Sequence, residues 1–287
     1  MNRDDRIVKL KLDVIFKRVF GNEKNTRLVA ALISALLEIP QDSIKKIYID
    51  NVELTPEYLD QKFSRLDLRL EVDDRIVNVE MQVNYERTFK ERTLFYWSRM
   101  YGEELRAGDE YADLRQTICI NIINFNLFEC PEYHSCFKVM ESERHELLTD
   151  KLAIHFFELK KVGKTRKNKP MDDWLELINA ETEDDLMALQ QSTTIPEVQE
   201  TIVMLRQLSA DEQVRREAFM REIRLHDEAT ALGHARREGI AEGMAKGMAK
   251  GKAEGLTEGM AKGKAEVAEK LRKMGLSEEQ ISEATGE

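Results

Sequence analysis

Apolar and polar residues alternate along residues 65–83, RLDLRLEVDDRIVNVEMQV, on both sides of an acidic pair at Asp73 and Asp74. This period of two predicts a β-hairpin with the acidic pair as its turn. Its apolar face is predicted to contain Leu66, Leu68, Leu70, Val72, Val77, Val79, Met81 and Val83. We expect the rest of the chain to be organised around this hairpin.

The register of the predicted hairpin brings two carboxylates together. With the acidic pair in the turn, Asp67 lies directly opposite Glu80 on the polar face. Like charges at opposed strand positions are destabilising, so a neutralising group is expected. A hard cation such as Mg²⁺ would serve, since it prefers one or two carboxylates with water and phosphate oxygens. The alternative is a solvated face on which Arg69, Arg75 and Asn78 absorb the charge.

The remaining pattern predicts helices and further strands around the hairpin. Helical spacing of apolar residues predicts helices at residues 9–20, 26–38 and 86–107, and a further helix around Asp172. Short runs rich in β-branched residues predict strands at residues 44–49, 117–124, 135–140 and 152–159. The order helix, strand, hairpin, helix, strand predicts an α/β sandwich.

Composition places few limits on this fold. The 287 residues allow one sizeable core and an appendage. No apolar run approaches the roughly 18 residues of a membrane span, and the N-terminus lacks the apolar segment of a signal peptide. Three cysteines, an odd number in a large chain, imply no disulfide framework, so a reducing cytoplasm is expected and no membrane partner. A net charge of −10 argues against a broad DNA-coating surface but allows a local basic patch.

Two other kinds of site find little support. Cys130, His134 and Cys136 are close in sequence, but there is no C-x-x-C pair and no partner pair at zinc-site spacing. The GMAKGK segments lack the spacing and the Ser or Thr of a phosphate-binding P-loop.

Three blocks of sequence, in order, resemble one known family. Asp67, twelve residues and then Glu80-Met81-Gln82 resemble the PD-(D/E)XK nuclease core, in the variant where Gln replaces the usual Lys. The block DVIFKRVF at residues 13–20 and the series Phe89, Arg92, Tyr96 extend the resemblance to the Rpn family of recombination-promoting nucleases, also described as transposases. The resemblance runs from about residue 10 to residue 169 and returns in the glycine-repeat tail.

The resemblance implies a PD-(D/E)XK, restriction-endonuclease-like core: a mixed sheet flanked by helices. It also implies a Mg²⁺-dependent DNA endonuclease with little sequence preference, transposase-like, that promotes recombination or acts in defence. Asp67 and Glu80 would hold Mg²⁺, or another divalent cation such as Mn²⁺ or Ca²⁺, with Asp13 as a further ligand. Because a neutral Gln82 can orient water but supplies no positive charge, Lys17 or Arg92 would supply it.

Two pairs of these residues have simpler interpretations. Asp13 and Lys17 are spaced as an ordinary i,i+4 ion pair. Arg92 and Tyr96 are one helical turn apart, and the resemblance places them against the site or the DNA backbone, whereas residue chemistry alone favours packing and a surface ion contact.

A basic stretch at residues 160–170, KKVGKTRKNKP, has six basic residues in eleven and no acidic one. In an acidic chain it is the best candidate for contact with DNA phosphates, and a solvated loop is the alternative. The DNA-binding residues predicted here are Lys164, Arg166, Lys167 and Lys169.

The last part of the chain contains a glycine at every fourth residue from Gly239 to Gly263. Ala, Met, Lys and Glu between the glycines favour helix, and the absence of Ser, Pro and Asn weakens the alternative of a flexible linker. Ser277 and Gln280 are spaced as a capping box for a short final helix. Close approach of glycine stripes predicts a homo-oligomer assembled through this all-helical tail.

The division predicted from these patterns has four parts: a nuclease-like core at residues 1–170, a helical extension at 171–235, the glycine repeat at 236–264 and a short helical piece at 265–287. A second function class also fits the sequence. In it the chain is a non-catalytic DNA-binding, oligomerising protein that carries a decayed nuclease fold.

Overall fold

A computed structural model of the chain describes residues 7–50, 53–54, 64–65, 68–105, 108–163 and 169–286, with only the backbone at residues 50, 53–54 and 64–65. The chain forms two compact units, Met1–His226 and Asp227–Glu287.

The first unit contains a six-stranded mixed sheet, as predicted. Its strands stand in the order β1-β4-β5-β6-β8-β7, and β5, β6 and β8 are parallel to one another. The strands are β1 (Ile47–Asp50), β4 (Leu68–Val72), β5 (Arg75–Gln82), β6 (Gln116–Ile123), β7 (His134–Phe137) and β8 (Leu152–Glu158). A separate pair is formed by β2 (Glu53–Leu54) and β3 (Ser64–Arg65).

Helices account for most of the remaining described chain. They are α1 (Asp13–Phe20), α2 (Thr26–Leu37), α3 (Phe89–Gly102), α4 (Pro170–Asn179), α5 (Glu183–Ser192), α6 (Pro196–Ala210), α7 (Glu212–Lys273) and α8 (Glu278–Thr285). None of the described helices combines the length and hydropathy needed to cross a membrane.

The hairpin register is confirmed over the described residues. Strand β4 pairs with β5 from Leu68 opposite Val79 to Val72 opposite Arg75, which leaves the acidic pair in the turn. The predicted pairing of Asp67 with Glu80 lies outside the described residues. Strand β5 is buried on both faces, because β4 and β6 flank it and helices cover each side of the sheet.

The two faces of the sheet pack against different helices. Odd-numbered β5 residues such as Val77 and Val79 join the larger apolar cluster, together with α1, α2 and α4. Ile76 joins the smaller cluster, with Phe89 and Met100 of α3. Since side chains alternate along a strand, the even-numbered residues of β5 face α3.

Helices α1 and α3 are shorter than predicted. Helix α1 begins at Asp13, not Lys9, because Leu12 has an extended backbone. Helix α3 ends at Gly102, not Ala107, where the chain turns and Glu104 pairs with Arg115 at 2.5 Å.

The helical extension predicted at residues 171–235 contains a break at Asp211. This residue has an extended backbone, and its carboxylate accepts bonds from Gln213 N at 2.8 Å and Val214 N at 3.1 Å. It therefore acts as the N-cap of a new helix, α7, by supplying acceptors for two of the orphan backbone donors.

The strand boundaries differ by a few residues. Strand β1 begins at Ile47, not Ile44, and β7 ends at Phe137, well before Met140. Met140 instead forms an isolated bridge with Leu147.

In the second unit, the glycine array lies inside α7, which confirms the helix prediction over Gly239–Gly263. After Gly275, with φ of +86°, the capping box forms as predicted: Gln280 N donates to Ser277 Oγ at 3.3 Å, and Ser277 N donates to Gln280 Oε1 at 3.1 Å.

Candidate metal and nucleic-acid site

Glu80 and Gln82 lie near the carboxyl end of β5 and project toward α3. Glu80 is buried, with 6 % of its surface exposed, and stands beside Asn121 of the parallel strand β6. In open α/β sheets the carboxyl ends of parallel strands commonly form the ligand-binding edge. A charged side chain buried at this edge is therefore a candidate functional group.

Arg92 of α3 brings these two β5 side chains together. Its Nη2 is 3.3 Å from Glu80 Oε1 and donates to Gln82 Oε1 at 3.0 Å, while Nη1 donates to Glu86. Three acceptors thus converge on one guanidinium, the side chain whose planar fork of donors suits several oxygens at once.

Aromatic rings fix the position of this guanidinium. Its carbon lies 4.9 Å from the ring centroid of Phe89 and 5.8 Å from that of Tyr96. Phe89 is fully buried between Phe125 and Phe156. The series Phe89, Arg92, Tyr96 is therefore a structural unit of the site, in which the rings hold the guanidinium by packing and cation–π attraction.

The orientation of Gln82 follows from a second contact. Its Nε2 donates to Asn84 O at 2.9 Å, so its Oε1 faces Arg92. A guanidinium consequently stands at the end of the Gln82 side chain, next to the place where a lysine at position 82 would carry its ammonium.

A layer of uncharged polar groups continues the α3 face. Thr93 Oγ1 lies 3.2 Å from Asn121 Oδ1, and Asn121 Nδ2 donates to His155 O at 3.1 Å. Burial and the nearby Glu80 carboxylate raise the pKa of Cys119 well above its usual range, so this thiol stays protonated.

Asp13 and Lys17 come from α1, the helix on the other face of the sheet. Asp13 Oδ1 accepts a 2.7 Å bond from Arg221 Nε of α7. Asn84, just beyond Gln82, also reaches α7, donating to Leu225 O at 2.8 Å. Sequence reasoning did not anticipate these contacts of α7, and the roles of Asp13 and Lys17 stay predictions.

Three of the four predicted DNA-binding residues of the basic stretch, Lys164, Arg166 and Lys167, lie outside the described residues, as does Asp67. Lys169 is described and forms an ion pair with Glu38. Lys161, counted in the same basic stretch, is buried: its Nζ lies 2.6 Å from Glu158 Oε2 and donates to Phe128 O at 2.9 Å.

The buried partner Glu158 was not foreseen from the sequence. It ends β8, is fully buried, and its Oε1 accepts from Leu127 N at 2.6 Å and Phe128 N at 3.3 Å. Both carboxylate oxygens therefore have donors inside the protein, which identifies a structural ion pair that fixes the loop after β6.

The donor chemistry at β5 suits a hard divalent cation, since Glu80 offers carboxylate oxygens and Gln82 an amide oxygen. Within the described residues, from which Asp67 is missing, no group of three or more His, Cys, Asp or Glu side chains is arranged to hold a metal ion. This also holds for Cys130, His134 and Cys136. His134 Nε2 instead lies 3.0 Å from His155 Nδ1, and Cys136 Sγ lies 3.6 Å from the opposite ring nitrogen.

Comparison with known proteins gives one family match. A model of the family described as PD-(D/E)XK nuclease family transposase matches residues 10–235. Searches of curated proteins and of solved structures give no significant match.

Proposed function

The chain belongs to the PD-(D/E)XK nuclease family of transposases, and from this premise we propose that it is a Mg²⁺-dependent DNA endonuclease with little sequence preference. One observation supports the proposal above all others: a buried carboxylate, Glu80, stands next to Gln82 and Arg92 at the carboxyl end of the central strand. The Glu80 carboxylate is a common metal ligand, the Gln82 amide can orient water, and the Arg92 guanidinium, which contacts both, can bind phosphate.

In this proposal Glu80 and Asp67 hold the cation, with the main-chain carbonyl of Met81 as a further donor. A bound divalent cation would polarise the scissile phosphate and lower the pKa of the attacking water. Gln82, whose amide is oriented by Asn84 O, positions that water. Burial of Glu80 keeps bulk water away and strengthens its electrostatic interactions.

Arg92 is the better supported source of the positive charge that Gln82 cannot provide. Its Nη2 already lies 3.0 Å from Gln82 Oε1, and phosphate oxygens are natural partners for a guanidinium. Tyr96, which lies beside Arg92, would border the same DNA contact. DNA breakage by this site would promote recombination or act in defence.

The first test is metal-dependent nicking of supercoiled plasmid by the full-length chain. Asp67→Ala and Glu80→Ala should each abolish cleavage, because each removes a carboxylate that holds the cation. The matched control is Glu71→Ala, since Glu71 lies on the same hairpin but pairs with Arg115 at 3.3 Å. Wild-type cleavage by both site variants, after removal of contaminating nuclease, would refute the site assignment.

The same nicking assay distinguishes an endonuclease from the second function class, a non-catalytic DNA-binding protein. A non-catalytic DNA-binding protein is favoured by the fact that Glu80 already has a guanidinium counter-ion in this structure. Undetectable nicking by the wild type with Mg²⁺, Mn²⁺ and Ca²⁺, together with retained DNA binding, would establish that class.

DNA binding is proposed for the basic stretch. Neutralising Lys164, Arg166, Lys167 and Lys169 together should weaken binding and lower the slope of log affinity against log salt by roughly 0.9 per lost phosphate contact. A variant neutralised at the exposed Lys24 and Lys45 serves as control. An unchanged slope in the quadruple variant would assign the stretch to a solvated loop.

A further inference from the structure

Arg92 lies against Glu80, the carboxylate proposed to hold the divalent cation. Its Nη2 lies within 3.3 Å of both Glu80 Oε1 and Gln82 Oε1, a carboxylate oxygen and an amide oxygen of β5. We infer that Arg92 is the internal counter-ion of the metal-free site, and that Glu80 exchanges this guanidinium for the divalent cation when metal binds. The inference rests on the proposed metal role of Glu80.

The Arg92 guanidinium and a divalent cation compete for Glu80 because both are positively charged. A guanidinium and a divalent cation on the same carboxylate oxygen would lie a few ångströms apart, and like charges at that distance repel strongly where water is excluded. Glu80 is buried, so solvent screens this repulsion poorly. Metal loading therefore displaces the Nη2 contact, and loss of Arg92 makes metal binding easier.

Other contacts retain Arg92 at the site after this exchange. Nη1 forms an ion pair with Glu86, which does not take part in the exchange, and the guanidinium packs against the rings of Phe89 and Tyr96. The Arg92 side chain is 23 % exposed, so Nη2, once released, can reach a phosphate oxygen of bound DNA. One side chain thus neutralises the carboxylate before metal binds and the substrate afterwards.

The test measures Mn²⁺ affinity of the full-length protein by calorimetry without DNA, so no catalytic turnover is involved. Arg92→Met should bind Mn²⁺ about tenfold more tightly than wild type, because it removes the competing cation. Arg92→Lys keeps a cation at this position and should stay within about threefold of wild type. Thermal unfolding of each metal-free variant verifies its fold.

The matched control is Arg99→Met on the same helix. Arg99 is equally exposed, at 22 %, and pairs with Glu103. Its removal should leave Mn²⁺ affinity unchanged, which separates a local effect from a change in net charge.

Two failures can be told apart. Mn²⁺ binding by a folded Arg92→Met variant that is equal to or weaker than that of wild type would overturn the exchange but not the metal site. If Arg92→Met does not fold, Arg92→Gln replaces it, and the same result would have the same meaning. Mn²⁺ binding that is absent from wild type, or unchanged in Glu80→Gln, would overturn the proposed metal site and this inference with it.

Discussion

The two compact units are stabilised by different means. In the first, a six-stranded sheet with helices on both faces buries a large apolar core that includes Phe16, Phe157 and Trp174. In the described part of the second unit, residues 227–286, only Ile281 and Thr285 are buried. The long helix there exposes Met244, Met248, Leu256 and Met260.

This contrast shows how differently the same secondary structure is supported. A helix such as α2 is held by tertiary burial, which supplies most helical stability in proteins. The glycine-containing part of α7 has its i,i+4 ion pairs, such as Glu258 with Lys262 at 3.0 Å, each worth a few tenths of a kcal/mol. Each glycine costs about 1 kcal/mol relative to alanine, so these ion pairs offset only part of that cost. A partner that covers the exposed methionines stays a prediction.

The largest effect is expected from the buried ion pair of the first unit. Glu158→Ala leaves the Lys161 ammonium buried without its carboxylate, and also removes the acceptor for two backbone N–H groups. We expect the free energy of unfolding to fall by about 3–5 kcal/mol, measured by urea denaturation.

The matched substitution in the second unit is Glu258→Ala, which breaks an exposed pair with Lys262. It should change stability by less than about 0.5 kcal/mol. Comparable losses of unfolding free energy in Glu158→Ala and Glu258→Ala would contradict the view that burial decides how much an ion pair contributes to stability in each unit.

The second prediction concerns acid. Burial, together with the nearby His134 and Lys138, lowers the pKa of His155 from 6.5 to about 4. The folded chain thus keeps His155 neutral where the unfolded chain takes up a proton, so its contribution to stability is complete above pH 6.5. It is lost as the pH falls from 6.5 toward 4, by on the order of 3 kcal/mol.

Denaturation curves at pH 7.0, 5.5 and 4.5 measure this effect. His155→Gln should flatten the acid dependence over this range, because its side chain does not titrate. His234→Gln, at an exposed position in the second unit, should not alter it. Identical acid profiles for wild type and His155→Gln would refute the assignment.

Periodicity was sufficient to predict the hairpin of the first unit. The alternation around Asp73 and Asp74 yields the observed pairing of Leu68 with Val79, since a shift by one residue would turn the apolar face to the wrong side. The family resemblance predicted that Arg92 and Tyr96 face the site or the DNA backbone. In the structure Arg92 contacts Glu80 and Tyr96, and the roles of Arg92 and Tyr96 stay predictions.

Contacts between distant segments could not be predicted in this way. The Glu158–Lys161 pair depends on a short 3₁₀ turn, Leu159–Lys161, that brings Lys161 back under the loop at Phe128. The bond from Arg221 to Asp13 joins residues 208 positions apart. Only the break at Asp211 carried a local signal, because an Asp directly before a helical run is a strong N-cap.

The smallest expected effect per residue comes from Gly→Ala substitutions in the glycine array. These substitutions distinguish a helix–helix contact from a flexible segment. Beyond the adjacent residues and the helix's own backbone, no atom of the described structure lies within 4 Å of a Cβ placed at Gly247, Gly251 or Gly255. In an isolated helix, alanine at these positions should therefore raise stability by up to about 1 kcal/mol each. If glycines instead allow two helices to approach closely, the added methyl groups should weaken association.

We expect both changes in a fragment of residues 227–287: higher helicity at low concentration and a higher dissociation constant of the assembly. Circular dichroism and sedimentation equilibrium over a range of concentrations measure them. The control changes Ala245 and Ala249, between the glycines, to serine, which keeps residue size nearly constant. If the wild-type fragment stays monomeric at every concentration while the alanine variant gains helix, the glycines serve a flexible segment and assembly through the tail is wrong. Association that weakens in the alanine variant, as its helicity rises, would show that the glycines are retained for contact between chains.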